Sequence, residues 1–529
     1  MQNARAILFD TQSIQKYIFS DNRLKTNIGA SYIVSHVFED VLLGEILLPG
    51  KLGIREIDTK SWKMEKDIPS TLGEGSCYVA YIGGGNALIL LSAKGEDYRK
   101  EIVSEFTERL LVKYPGLKTG AALGKLVLDE NADSVAFQKS IQSLYGELKQ
   151  NQFTVFPQVN VPNTGLTLPC EVNGATANAY VRKGSLVNKG KPRFFSQEVV
   201  AKAKAADKAD QVLQHEFADV LGDFVFPKEL ERLGQKESEN DIAVVHIDGN
   251  NMGVRFQKCA TLAARGVLSR DVAEKTKESF SRLLKDIVEE YDSYKAFLKL
   301  SQDEKMRNEL PVRPLILGGD DITFICNARL ALVYTKRFME YLADEALGGM
   351  KIDSCAGIAI VPTAYPFFRA YELAEQLCDV AKNKSRSEEG TSWLDFAILH
   401  GEQSPTIEQI RAQEYAGALG NMHFGPYRVD GDGSYHFHIT KLLQAAKGIE
   451  KELPRSKWKE MRSALQHGRH DIIRFVEQLR HDGKRLPHIP GWEMYEETLW
   501  HRNAEEERTP YVDAIEIIDY IPPTKKEAE

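Results

Sequence analysis

At 529 residues the chain is too long for a single hydrophobic core, and two to four domains are expected. The 68 basic and 76 acidic residues give a formal net charge of −8, which argues against a surface coated in positive charge for duplex nucleic acid. That balance leaves room for a small basic pocket that holds nucleotide phosphates.

No uninterrupted apolar stretch reaches the length of a membrane span, and the N-terminus runs directly into an apparent strand. Neither membrane nor signal peptide is indicated, and a cytoplasmic location is expected. The cysteines Cys77, Cys170, Cys259, Cys326, Cys355 and Cys378 form no C-x-x-C pair, which speaks against structural zinc and for free thiols.

In chain order, Ala4-Arg-Ala-Ile-Leu-Phe-Asp10 is an apolar run ending in a carboxylate. Tyr81–Leu91 places Gly83-Gly84-Gly85-Asn86 between two strand-like runs, and Thr119–Val127 is a third strand. Residues 139–238 hold prolines and glycines that suggest turns and short strands, then an alanine- and lysine-rich helix over 201–221. The basic run Arg182, Lys183, Lys189, Lys191 and Arg193 reads as a solvated loop or as an RNA or nucleotide contact.

Ile242-Ala-Val-Val-His-Ile-Asp248 is again an apolar run ending in aspartate, followed by the turn Gly249-Asn250-Asn251-Met252-Gly253. A helical stretch over roughly 267–297 precedes Leu317-Gly318-Gly319-Asp320-Asp321, which is flanked by apolar runs and reads as a tight hairpin. A helix over 328–347, a strand over 352–361 and a helix over 367–383 follow. The last of these runs into the basic cluster Lys382-Asn-Lys384-Ser-Arg386. Beyond residue 400 the pattern is mainly helical, at 405–418, 440–448, 455–468 and 470–482, with a charged tail. His423, His436 and His438 lack a clustered carboxylate or cysteine and read as ordinary surface, with His436 and His438 on one face of a short strand.

The two halves repeat one another. Asp10 to Asn86 is 76 positions and Asp248 to Asp321 is 73, while Asn86 to Ala121 and Asp321 to Ala356 are both 35. The chain is therefore expected to carry two copies of a βααββαβ module. The first has Gly85-Asn86 where the second has Asp320-Asp321, and asparagine cannot supply the charge a divalent ion needs.

If the strand ending at Asp248 pairs beside the hairpin, three carboxylates converge at one edge of a sheet, and the Gly249 carbonyl can join them. Oxygen donors with open positions suit Mg²⁺ or Mn²⁺ in a two-metal phosphoryl-transfer site. Adjacent strand residues face opposite ways, so Asp320 and Asp321 need not contribute equally. The loop at Asn250 and Asn251 could wrap phosphate or be an ordinary turn. Lys382 and Lys384 could meet β- and γ-phosphates or stand in solvent.

On these residues the chain resembles the Cas10/Cmr2 family, the large subunit of type III CRISPR effectors, and more broadly the GGDEF-type and class III nucleotidyl cyclases. Phe9-Asp10, Gly29-Ala30-Ser31, Ile247–Asn250, Gly318–Asp321 and Ala381-Lys382 carry the resemblance. It implies an α+β fold with two ferredoxin-like palm domains. ATP would be bound between facing palms and joined 3′ to 5′ into a cyclic oligoadenylate. Asp248, Asp320 and Asp321 would be catalytic. Asp248, Gly249, Asp320 and Asp321 would hold the metal. Gly249, Asn250, Asn251, Gly318, Gly319, Lys382 and Lys384 would hold nucleotide, and Gly84, Gly85 and Asn86 would lie near a second one.

The expected domains are 1–138 (a degenerate palm), 139–238 (linker), 239–402 (the palm with GGDD) and 403–529 (mainly helical). No N-terminal HD nuclease or cysteine-rich insertion is expected. Partners could include CRISPR effector subunits and guide or target RNA. The rival reading is a non-catalytic scaffold or nucleotide sensor.

Overall fold

The apolar run that ends at Asp10 forms an internal strand of a sheet, with buried side chains on both of its faces. In a computed structural model, the described residues are 2–48, 50, 52–58, 72–128, 135–152, 163–183, 186–187, 192–233, 241–298, 308–347, 349–399, 406–496, 498–502 and 507–522. Lys189, Lys191 and the tail beyond residue 522 lie outside them. The chain divides into two compact units. One comprises Met1–Phe217, Asn251–Glu274 and Leu315–Asp320, and the other Ala218–Asn250, Lys275–Pro314 and Asp321–Glu529.

In the first unit, β1 (Gln2–Gln12), α1 (Ile14–Ile18) and α2 (Leu24–Val37) lead through a π-helical segment, Phe38–Leu47, to β2 (Glu56–Asp58). Then come β3 (Ser76–Gly83), β4 (Asn86–Leu91), α3 (Arg99–Lys113), β5 (Lys118–Leu128) and α4 (Val135–Asn151). The sheet order is β2-β3-β4-β1-β5. One face packs Phe9 against Phe38 and Phe106, with ring centroids 5.9 and 5.0 Å away. The other buries Ala6, Leu8, Leu88 and Ala122 beneath Ile141, Leu144 and Leu148 of α4. Asp10 lies on this second face, since it alternates with Phe9.

Next come a two-stranded ribbon, β6 (Ala179–Val181) and β7 (Arg193–Phe195), and the helix α5 (Gln197–Glu216), whose N-cap Ser196 accepts a hydrogen bond from Val199 N–H. Gly29 allows α2 to touch α5, because a Cβ there would fall 1.7 Å from the Lys202 carbonyl oxygen. Ser31 donates its hydroxyl to the Leu315 carbonyl, within the same unit.

In chain order there follow α6 (Ala218–Leu221), β8 (Asp241–Gly249), α7 (Met252–Lys258), α8 (Leu262–Glu289), α9 (Tyr291–Leu298), β9 (Val312–Gly318) and β10 (Asp321–Asn327). Next are α10 (Ala331–Ala343), β11 (Ser354–Pro362), α11 (Phe367–Ser387), β12 (Trp393–Ile398), α12 (Ile407–Glu414) and β13 (Tyr427–Arg428). Read from β9, the sheet order is β9-β10-β8-β11-β12-β13. Its first four strands repeat the β3-β4-β1-β5 order of the other palm.

One face of this sheet carries Phe324, packed with Phe280 of α8 and Phe338 of α10 at centroid distances of 6.3 Å each. Burying such a ring stabilises the core by about 3 kcal/mol relative to alanine. On the other face, α11 lies unusually close to β11. A Cβ on Gly357 would fall 1.9 Å from the Ala374 carbonyl oxygen and 2.5 Å from Cys378 N.

The remaining helices are α13 (Ile439–Glu452), α14 (Arg455–His467), α15 (Arg469–His481), α16 (Glu493–Glu496) and α17 (Tyr511–Glu516), with a small ribbon between the last two. Helices α13, α14 and α15 match the helical pattern read from the sequence, whereas α16 and α17 fall in the stretch read only as a charged tail.

His423 corrects the surface reading. It is buried, with Nε2 at 2.8 Å from Asp395 of β12 and Nδ1 at 3.0 Å from Asp513 of α17. Burial and the nearby Arg411 oppose its protonation, the two carboxylates favour it, and the net pKa is raised. Arg411 reaches the same Asp395 at 3.1 Å, and Phe424 N–H and the Tyr427 hydroxyl donate to Asp513. His436 and His438 are not on a regular strand. His438 is buried and caps α13, accepting from Thr440 N–H.

Candidate functional site

Strand pairing decides which carboxylates meet. β8 and β10 run antiparallel with Asp248 directly opposite Asp321 and His246 opposite Thr323. Directly opposed residues share a sheet face, with Cα atoms about 5 Å apart. The spacing of the sequence repeat is matched in the other palm, where Asp10 stands opposite Asn86. The third strand agrees as well. Ala121 pairs with Phe9 and Ala356 with Ile247, in each case the residue before the strand-end aspartate.

The hairpin turns differ. β3 and β4 are joined by Gly84 and Gly85, both with positive φ (58° and 79°). β9 and β10 are joined by Gly319, with φ 74°, and Asp320. Ser13, Asn251 and Leu499 are the described non-glycine residues with positive φ, so Asp320 is spared that strain. The first turn has the I′ pattern of positive φ and the second the II′ pattern, whose second position accepts a side chain. At Gly85 a Cβ would lie 2.6 Å from Ile14 Cδ1, so an acid there must also displace Ile14.

Two like charges facing each other on one sheet face repel unless a cation or proton intervenes. Lys382 of α11 supplies a cation to Asp248, with which it forms an ion pair; the two side chains are 23% and 27% exposed. Burial disfavours the lysine charge, while Cys378 and Asp248 favour it, and the net effect raises its pKa. Burial also keeps Cys378 a neutral thiol, which leaves the carboxylates of Asp248 and Asp379 to favour the lysine charge near neutrality. His246 lies 3.6 Å from Asp321 and edge-on to Tyr371 of α11. Burial pushes its pKa down to about 4, against the pull of Asp248, so the imidazole is neutral at pH 7.

The structure brings Asp248, Gly249, Asp321 and Lys382 together, with Gly318, Gly319 and Asp320 forming the adjoining strand end and turn. Gly249 ends β8 opposite Ser354. Asn250 turns away, its amide donating to Ser385 Oγ (3.1 Å) and the Thr391 carbonyl (3.0 Å), so it pins the loop to α11 and the strand beyond. Asn251 takes the left-handed conformation that starts α7.

Lys384 sits apart from the acids. It pairs with Glu388 at 3.0 Å and lies over the Trp393 ring. The basic cluster is thus the last turns of α11 and not a loop. Gly84, Gly85 and Asn86 occupy the corresponding hairpin of the first palm, where Asp10 accepts a hydrogen bond from the Gln152 amide at 2.7 Å. Burial raises the Asp10 pKa and that hydrogen bond offsets part of the rise. Sequence reasoning missed His246, although its position two residues before Asp248 puts it on the same face.

Among the described residues no group of three or more His, Cys, Asp or Glu side chains is placed to hold a metal ion by itself. No described helix is long and apolar enough to cross a membrane.

Residues 241–389, the segment from β8 through α11, match the family model described as Cas10/Cmr2, second palm domain. No curated protein matches the chain. Among solved structures, a Csm1–Csm4 cassette in complex with pppApApA is similar at 12% identity and a TM-score of 0.52, over 98% of this chain and 69% of that one. The Csm1–Csm4 cassette in complex with one ATP is similar at 14% identity and a TM-score of 0.50, over 98% and 70%. At these identities the likeness is one of fold.

Proposed function

We infer that this chain is a metal-dependent nucleotidyltransferase that joins ATP 3′ to 5′ and closes the product into a cyclic oligoadenylate, as a messenger in CRISPR-type antiviral defence. The observation that carries this reading is Asp248 facing Asp321 across β8 and β10, with Lys382 beside them, inside the segment that matches the Cas10/Cmr2 second palm. Similar folds described with one ATP and with pppApApA, an ATP-derived trimer, support the substrate class. By the same likeness a Csm4-like partner subunit is expected.

The donor set fits Mg²⁺ or Mn²⁺, for two carboxylates on one open sheet edge are what such ions use when substrate phosphates complete the shell. Asp248, Asp321 and the Gly249 carbonyl would hold the ion, with Asp320 beside them in the turn. Once bound, it would activate the 3′-hydroxyl and neutralise charge on the α-phosphoryl group. The chain's own residues do the rest. Neutral His246 keeps positive charge away from Asp321, Asn250 fixes the loop after β8, and Lys382 is the ammonium within reach of a phosphate. Lys384, held by Glu388, is left out of that role. The proposed partition of the chain remains 1–138, 139–238, 239–402 and 403–529.

The test is incubation of the full chain with ATP and Mn²⁺ or Mg²⁺, followed by chromatography of products and a pyrophosphate assay. Asp248→Asn and Asp321→Asn should each lower turnover by about 100-fold or more, the scale of losing charge stabilisation in a transition state. A wild-type chain that binds nucleotide but stays silent with its partner subunits and activating RNA supplied would overturn the enzyme reading in favour of a scaffold.

A further inference from the structure

The two palms contain their own control for what Lys382 does. In each, the helix after the third strand returns over the face that carries the strand-end aspartate. In the first palm, the residue following α4, Gln152, gives Asp10 a neutral amide. In the second, α11 gives Asp248 an ammonium. The residue opposite the aspartate changes in step. It is Asn86 in the palm with the amide and Asp321 in the palm with the lysine. A lone acid is satisfied by an amide, whereas a facing pair of acids is met by a cation.

We propose that Lys382 is a resident counter-ion for the acid pair, displaced from Asp248 when a divalent ion loads and then free to take a nucleotide phosphate. This rests on the metal-site reading given above. Two observations carry it. The Lys382 ammonium is ion-paired with the Asp248 carboxylate, for which a metal ion would have to compete. Lysine has a flexible four-carbon stem and three donors, so it can exchange one anionic partner for another without moving the helix that bears it. Lys382 would therefore oppose metal binding in the absence of nucleotide and favour binding of the metal–nucleotide pair.

That opposition of sign is the test, and it needs no turnover. Mn²⁺ is titrated into the full-length chain without nucleotide, with bound ion read by electron paramagnetic resonance, in wild type and in Lys382→Met. The variant should bind Mn²⁺ about fivefold more tightly, the scale of freeing a carboxylate from a partly exposed ion pair. In saturating Mn²⁺, the same variant should bind a non-hydrolysable ATP analogue about tenfold more weakly, through loss of a charge-assisted hydrogen bond.

Lys382→Gln serves as a second variant if the methionine lowers the melting temperature. Equal or weaker Mn²⁺ binding in the variants would overturn the proposal while leaving the metal site standing. Wild-type Mn²⁺ binding that survives Asp248→Asn and Asp321→Asn together would instead sink the site reading on which the proposal rests.

Discussion

The first and second palms share strand order, register and the helix that roofs the aspartate face, yet they differ at three small places. Across from the strand-end acid stands Asn86 in one and Asp321 in the other. The second turn residue is Gly85 in one and Asp320 in the other, and the roof supplies Gln152 or Lys382. A fold that tolerates both sets does not need the acids, so their presence in one copy calls for a chemical reason. The second palm is also built out further. β5 ends the first sheet, whereas β11 continues into the parallel strand β12 and then β13.

The largest expected effect lies in that extension. His423 joins Asp395 of β12 to Asp513 of α17, and among the described residues the first sheet has no strand beyond β5. His423→Gln should cost about 3 kcal/mol, the scale of leaving a buried charge uncompensated. The folded pKa of His423 lies above its unfolded value of about 6.5. Its stabilisation is therefore present in full below about pH 6.5 and is lost as pH rises through the folded pKa. Urea unfolding across pH should show that loss in wild type and a flatter profile in the variant.

A smaller effect separates the two turns. Gly85→Asp, which copies the second palm into the first, should destabilise by about 1–2 kcal/mol because φ at Gly85 is positive. Denaturant titration checks this, and a neutral or stabilising result would mean that the first turn can adopt the second one's geometry.

The smallest effect is electrostatic. Asn86→Asp should cost about 1 kcal/mol at pH 7 by setting a second acid opposite Asp10, and the cost should fade as acid protonates the pair. Adding Gln152→Lys should restore stability at pH 7. If the single variant costs nothing, the facing acids of the second palm do not need their cation.

Much of this comparison was legible in the sequence. Equal spacings of 35 positions placed Ala121 and Ala356 at the same register point, because strand length and hairpin geometry leave little freedom between them. The convergence of Asp248 and Asp321 followed once their strands were paired. The rest depended on contacts that no local pattern encodes. His423 finds its partners 28 and 90 positions away, so a reading that looked for nearby ligands placed it on the surface. Asn250, which suits a phosphate loop or an ordinary turn by sequence, gives its side-chain amide to Ser385 and Thr391, 135 and 141 positions on. The two turn types could not be told apart without φ, and Lys382 and Lys384, two residues apart, parted company through the direction each takes from the same helix.

Gly357 has a bearing on the site although it touches none of the acids. It seats α11 so close to β11 that one added methyl group would collide with the helix backbone at Ala374 and Cys378. Cys378 is one helical turn before Lys382, so the same missing atom sets how far the ammonium hangs above β8. The glycine works as a spacer gauge, machined by subtraction. The tolerance of the charged centre is thus set in a hydrophobic seam, where a change that alters no charge and removes no ligand would still lift the lysine from its seat.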